Sequence, residues 1–230
     1  MIVATALCPH PPLLLRELSG EQDVAADLRR ACESALEALL ASSPDTLVVI
    51  GGHDTSAEHT GALVPVREYG GTGERTPRER TLPLSLGVAR RLLDSVGHHG
   101  HVEMATVAWD ASQAETAALG RHIADRPERV ALLVLGDGSA RRGTTAPGHL
   151  DRRSFAFDEE IRRCLAEGDR EGLTRVDPDL AADLMVTGRA AFGVMAHALA
   201  DTEGPVRPRL LYADDPFGVM YFVAVWPCDS

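Results

Sequence analysis

"VALLVLGDGSA", residues 130–140, opens with six apolar residues in unbroken succession and ends in a glycine turn. The run shows neither the alternation of a half-exposed strand nor the spacing of an amphipathic helix. A short apolar run of this length, bounded by turn residues, reads as a strand buried on both faces. Such a strand needs strand neighbours on both sides and helices above and below it.

The rest of the chain supplies them. "IVATAL" (residues 2–7) is a second short buried strand, stopped by Pro9, Pro11 and Pro12. "TLVVI" (46–50) is a third, running into "GGHDT" (51–55). Between these two, Val24, Leu28, Cys32, Leu36 and Leu39 recur at helical steps and predict a helix over Gln22–Ala41. A long loop or lid is expected from Glu58 to Thr81, then a helix over Ser85–Ser95, a strand in "HVEMATVAW" (101–109) and a helix over Ala111–Ala124. Arg152–Ala200 reads as mostly helical, with apolar stripes from Phe155, Ile161, Leu165, Leu180, Leu184 and Met195 and breaks at Gly168 and Gly188. "PRLLYA" (208–213) and "GVMYFVAVW" (218–226) close the chain as a hairpin around "DDPFG". Alternating strands and helices with a terminal hairpin predict a single α/β domain, residues 1–230, with a mixed, largely buried central sheet flanked by helices.

Composition narrows the function. The formal net charge of −11 disfavours nucleic acid as a partner. No apolar stretch approaches the ~18 residues of a membrane helix, and the N-terminus lacks the basic start of a signal peptide, so a cytoplasmic protein without a membrane partner is expected. All 23 basic residues are arginine. The absence of lysine excludes lysine Schiff-base chemistry and a phosphate-loop lysine. Cys8, Cys32, Cys164 and Cys228 form no CxxC pair and read as reduced thiols.

In α/β sheets, ligands bind beyond the carboxyl ends of the strands. Four such ends carry reactive groups: His10 in "CPHPP", His53 and Asp54 in "GGHDT", Asp137 and Ser139 in "GDGS", and Asp214 and Asp215 in "YADDPFG". A histidine after a strand is most often a structural hydrogen-bonder, but prolines on both sides of His10 preset its direction, which suits a metal ligand. Two glycines before His53 permit close backbone approach, and Asp54 could orient that ring. Two histidines and a carboxylate match the donor set of non-haem iron(II), and also a zinc site with bound water. Asp137, Asp214 and Asp215 all qualify as the third ligand; each has a bland reading as a turn residue. "GHHGH" (97–101) reads as a solvated loop, His59 belongs to the lid, and His122 and His197 lie on helix surfaces. His149 follows the Asp137 turn closely enough to swing toward the same rim. "LGDGSA" has the order Gly-Asp-Gly-Ser and is no nucleophile elbow.

"ALCPHPPLL" (6–14) resembles the opening of class III extradiol ring-cleavage dioxygenases, "GGHDT" their second histidine site, and "LGDGSA" and "YADDPFGVMYFVAVW" their later landmarks. Memo-type proteins share this layout, and the resemblance to bacterial members spans nearly the whole chain. It implies that His10, His53 and a late acidic residue, Asp215 or Asp214, bind iron(II), with zinc(II) as the alternative, and that a catechol-like aromatic ring is opened with O2. A homodimer is expected on other grounds, since cytosolic enzymes of this size often form isologous pairs. The family's catalytic histidine in the glycine-rich turn is missing here, where Asp137 and Ser139 stand instead. Catalytic proton transfer then falls to Asp137 or His149, or Asp137 binds the metal, or the activity is that of a zinc-type hydrolase or a non-catalytic metal- or partner-binding protein.

Overall fold

The computed structural model describes residues 1–19, 23–72, 77–202 and 206–228. Among these, seven strands form one sheet: β1 (Ile2–Cys8), β2 (Thr46–His53), β3 (Ala57–His59), β4 (Val102–Ala108), β5 (Val130–Leu135), β6 (Arg209–Asp214) and β7 (Tyr221–Pro227), in the order β3-β4-β2-β5-β1-β7-β6. β4, β2, β5 and β1 run parallel; β3 at one edge and the β7–β6 hairpin at the other run antiparallel. This is the expected mixed sheet in a single α/β domain.

β5 occupies the centre, as its unbroken apolar run requires. Val130, Leu132 and Val134 face one layer, and Ala131, Leu133 and Leu135 face the other. The second layer is closed by α1 (Ala26–Leu40) and α2 (Leu84–Ser95), through Leu28, Cys32, Leu36, Leu86 and Leu93. The first is closed by α3 (Gln113–Ala124), α4 (Arg153–Glu167), α5 (Arg170–Thr174) and α7 (Arg189–Ala198), through Ile123, Ile161, Leu173, Phe192 and Met195. α6 (Pro178–Asp183) packs beside them in a small cluster of its own, around Ala181, Leu184 and Val186. Each leucine fully withdrawn from water on these faces contributes about 2 kcal/mol.

Several expectations shift. The first helix begins at Ala26, not Gln22, which lies outside the described residues. Val24, expected in its apolar stripe, is exposed, because Asp23 is drawn into ion pairs with Arg16 and Arg29 ahead of the helix. The expected lid contributes the edge strand β3 and short single-turn helices at Val66–Tyr69 and Arg78–Arg80. Phe155 is exposed rather than core, lying against the guanidinium of Arg142, 4.5 Å from the ring centroid. His197 is half-buried, with Nε2 enclosed and unpartnered, rather than a surface residue.

Candidate functional site

The sheet register sets the site. Cys8 and Gly51 both align with Leu135. His10, His53 and Asp137 each stand two residues beyond that common layer. Neighbouring strands are ~4.8 Å apart, so the three form one row at the carboxyl ends of adjacent strands, with Asp137 in the middle. Tyr221, the first residue of β7, reaches this end of the sheet from the opposite direction and is buried.

The Gly-Asp-Gly-Ser turn is locked by backbone packing. The Gly136 N–H donates to the Cys8 carbonyl at 3.0 Å, and the Asp137 carbonyl accepts from Gly188 at 2.9 Å. Gly138 donates to the Met220 carbonyl and Met220 donates back to Ser139, both at 2.8 Å. A Cβ on Gly138 would come within 2.8 Å of Met220 Cβ, and one on Gly136 within 2.6 Å of Gly188 Cα. Both glycines are there for close approach. On the other strand, Pro11 leads into a short helical turn at Pro12–Leu14. Arg29 of α1 anchors that turn by donating to the carbonyls of Leu13, at 3.2 Å, and Leu14.

His10 and Asp137 therefore meet. The His10 backbone N–H donates to Asp137 Oδ1 at 2.8 Å. The His10 ring, buried to 6 % residual exposure, holds Nδ1 3.6 Å from the same oxygen. That is beyond hydrogen-bond distance, so Nδ1 is buried without a partner. Burial pushes the Asp137 carboxyl above the usual carboxylate range, and His10, by its charge and its backbone hydrogen bond, opposes the rise. The Tyr221 phenol is likewise raised, first by burial and then by the charge of Asp137.

His53 ends β2, and its carbonyl accepts from the Trp109 backbone N–H at 3.0 Å. Its ring meets the Trp109 indole edge-on, with centroids 6.3 Å apart and planes at 79°. The two glycines before it serve opposite faces of the sheet. Ser85 of α2 fills the space where a Gly51 Cβ would stand. Trp109 fills that of Gly52, with Nε1 2.7 Å from the would-be Cβ. Asp54, expected to orient His53, is exposed, and the ring's contact is with Trp109.

The late acidic residues are employed elsewhere. Asp215 is ion-paired with Arg142, whose Nη1 also reaches Asp158 at 3.2 Å. Asp158 is buried and accepts from Ser139 N–H at 3.0 Å and Ser139 Oγ at 2.5 Å. Asp214 accepts from the Asp215 N–H at 2.9 Å, and the turn closes with Gly218 donating to the Asp215 carbonyl. Asp215 thus serves the hairpin turn, and it is Asp137 that stands beside His10. His149 lies exposed in a turn, in the left-handed region at φ 56°, with its N–H on the Ala146 carbonyl. Among the described residues, no group of three or more His, Cys, Asp or Glu is arranged so that it could hold a metal ion.

Sequence reasoning passed over Trp109, Arg142, Asp158 and Tyr221. An exposed aromatic one residue past a strand could have marked Trp109. Nothing in "ARRG" or "FDEE" distinguishes Arg142 or Asp158 from surface charges.

No family model and no curated protein matches this chain. Its fold does have a solved counterpart. The crystal structure of an uncharacterized Escherichia coli K12 protein, JW3007, is similar over 98 % of this chain and 99 % of that one, with a TM-score of 0.56 and 13 % identity. At that identity the likeness is one of fold. Among the described residues no helix is long and apolar enough to cross a membrane. A groove of about 750 Å³ lies along β3 and β4 among His59, His101 and His122, and shares no residue with the row of His10, Asp137 and His53.

Proposed function

We propose that the protein is a metal-dependent oxidoreductase of the extradiol dioxygenase type, with its site on the row formed by His10, Asp137 and His53. The observation that carries this reading is the buried, unpartnered Nδ1 of His10 beside the largely enclosed carboxyl of Asp137. A polar atom enclosed without a partner, as Nδ1 is, costs stability unless something satisfies it, and a divalent cation is a partner suited to that nitrogen and to the neighbouring carboxylate. Two imidazoles and a carboxylate fit iron(II) or zinc(II) by chemistry. His10 and Asp137, which lie side by side, would supply two of these donors, and His53, at the edge of the same row, would supply the third.

When bound, iron(II) would supply positions for a catechol-like diol and for O2. The chain's own residues would do the rest. His10, His53 and one oxygen of Asp137 would hold the ion. Asp137, held by the His10 backbone, is positioned to accept a hydroxyl proton from the diol and return it later at its other carboxyl oxygen. The 137–139 turn, bonded on both flanks, keeps those oxygens from wandering.

The test is anaerobic reconstitution with iron(II), exposure to air and a panel of catechols. Formation of a yellow ring-opened product supports the reading; a protein that binds iron yet opens none of them removes it. A second reading, a zinc-type hydrolase, is favoured by one feature: Asp137 stands where the dioxygenases carry a catalytic histidine. Elemental analysis of protein as purified separates the two, since zinc without iron favours the hydrolase.

A further inference from the structure

We propose that the indole of Trp109 is a preformed stacking wall for the flat face of an aromatic ligand beside His53, an inference that rests on the row of His10, Asp137 and His53 being a ligand site.

Trp109 is 42 % exposed, yet it is held from several sides. Its N–H donates to His53 at 3.0 Å. Its carbonyl accepts from Arg189 Nη2 at 3.0 Å, and the same nitrogen reaches the Ala111 carbonyl at 2.7 Å. The ring is seated where Gly52 has no side chain, and it meets His53 edge-on. Arg189 opens α7, and the residue before it, Gly188, donates to the Asp137 carbonyl. One short segment therefore ties the backbone of Trp109 to the turn that carries Asp137.

A large aromatic left half in water gives up burial energy, and fixing its backbone gives up freedom as well. Both costs are recovered if a ligand covers the ring, because a pre-positioned surface binds without further ordering. The matching surface is another flat ring. Aromatic pairs gain about 0.5–1.5 kcal/mol beyond the area they bury. A saturated diol of equal size has no such face, and its alcohol hydroxyls are weaker metal donors than a catechol's phenols, so the Trp109 variants, compared on catechol, isolate the wall from chelation. Trp109 thus selects for aromaticity, while the polar row selects for the hydroxyls.

The chain has two tryptophans, which makes the test direct. Trp226 is buried, with Nε1 on the Leu165 carbonyl at 2.9 Å, and serves as an internal reference. Zinc-loaded protein is titrated under argon with catechol and with cis-1,2-cyclohexanediol, following indole emission and, by calorimetry, affinity. Catechol is expected to quench a saturable part of the emission, and the saturated diol to leave it unchanged. Trp109→Ala should weaken catechol binding about tenfold. Trp109→Phe should restore most of that affinity without the emission change, and zinc affinity should be equal in all three proteins. Equal catechol affinity in wild type and Trp109→Ala overturns the wall and leaves the polar row standing. Zinc binding without catechol binding also overturns the wall. Failure to bind either removes the site itself, and the wall with it.

Discussion

The backbone N–H of His10 donates to the carboxylate of Asp137 at 2.8 Å, joining residues 127 positions apart in the chain. The bond exists because β1 and β5 are parallel neighbours whose ends fall in one layer. It brings a ring nitrogen and a carboxyl together inside the protein without pairing them. An enclosed nitrogen without a partner costs a fold stability unless something comes to satisfy it.

Asp137→Asn should raise stability in chelator-treated protein at pH 7 while weakening metal binding. Asparagine keeps an oxygen for the His10 N–H and discards a charge that burial disfavours. The folded carboxyl titrates above its ordinary value of 3.8. Its favourable contribution is therefore complete below that value and is lost as pH rises through the raised folded one. The gain should be about 1 kcal/mol, a few degrees in Tm. It should shrink toward zero as pH falls to about 4. A Tm series from pH 3 to 8 checks both size and direction, and a variant less stable than wild type at pH 7 contradicts the argument.

His10→Ala and His53→Ala should each lower zinc affinity at least about a hundredfold, the upper range seen when even a supporting partner of a metal ligand is lost. Asp215→Asn should leave zinc affinity unchanged, because that carboxylate is paired with Arg142 in the hairpin turn. Competition against a chromophoric chelator measures all three. Loss of affinity in Asp215→Asn would return the late acidic residue to the site.

Asp158→Ala should destabilise the fold by about 3–5 kcal/mol, the cost of breaking a buried pair from one side. It strips partners from Ser139 N–H, from Ser139 Oγ and from one arm of Arg142. Asp158→Asn, which still offers an oxygen, should cost less. Urea denaturation read by circular dichroism gives both values.

How far the sequence carried depended on whether a feature was local. The "VALLVL" run announces a central strand by itself, since only a strand covered on both faces tolerates six consecutive apolar residues. His10, His53 and Asp137 were visible as strand-end residues for the same reason. Which of Asp137, Asp214 and Asp215 stands beside His10 is a question of pairing across the chain, and the partner that holds Asp215 in the hairpin turn, Arg142, has no local signature. The first helix was read too long because Val24 fits the apolar period, whereas Asp23 is claimed by two arginines. Periodicity reports which face a residue would take, and a salt bridge can hold it outside the helix altogether.

The two glycines before His53 should respond differently to the same substitution. At Gly51 a methyl group would strike Ser85, on the face covered by α2. At Gly52 it would come within 2.7 Å of Trp109 Nε1 and 2.9 Å of the Thr187 carbonyl. Both changes overpack a tight site and should cost about 1–3 kcal/mol. Gly52→Ala alone should also move the indole, since the side chain yields more easily than backbone at Thr187. The emission maximum of Trp109 should then shift in Gly52→Ala and stay put in Gly51→Ala, with Trp226 constant in both. An unshifted Gly52→Ala spectrum would mean the indole is not seated on that glycine, and the pre-positioning of the ring beside His53 would lose its mechanical basis.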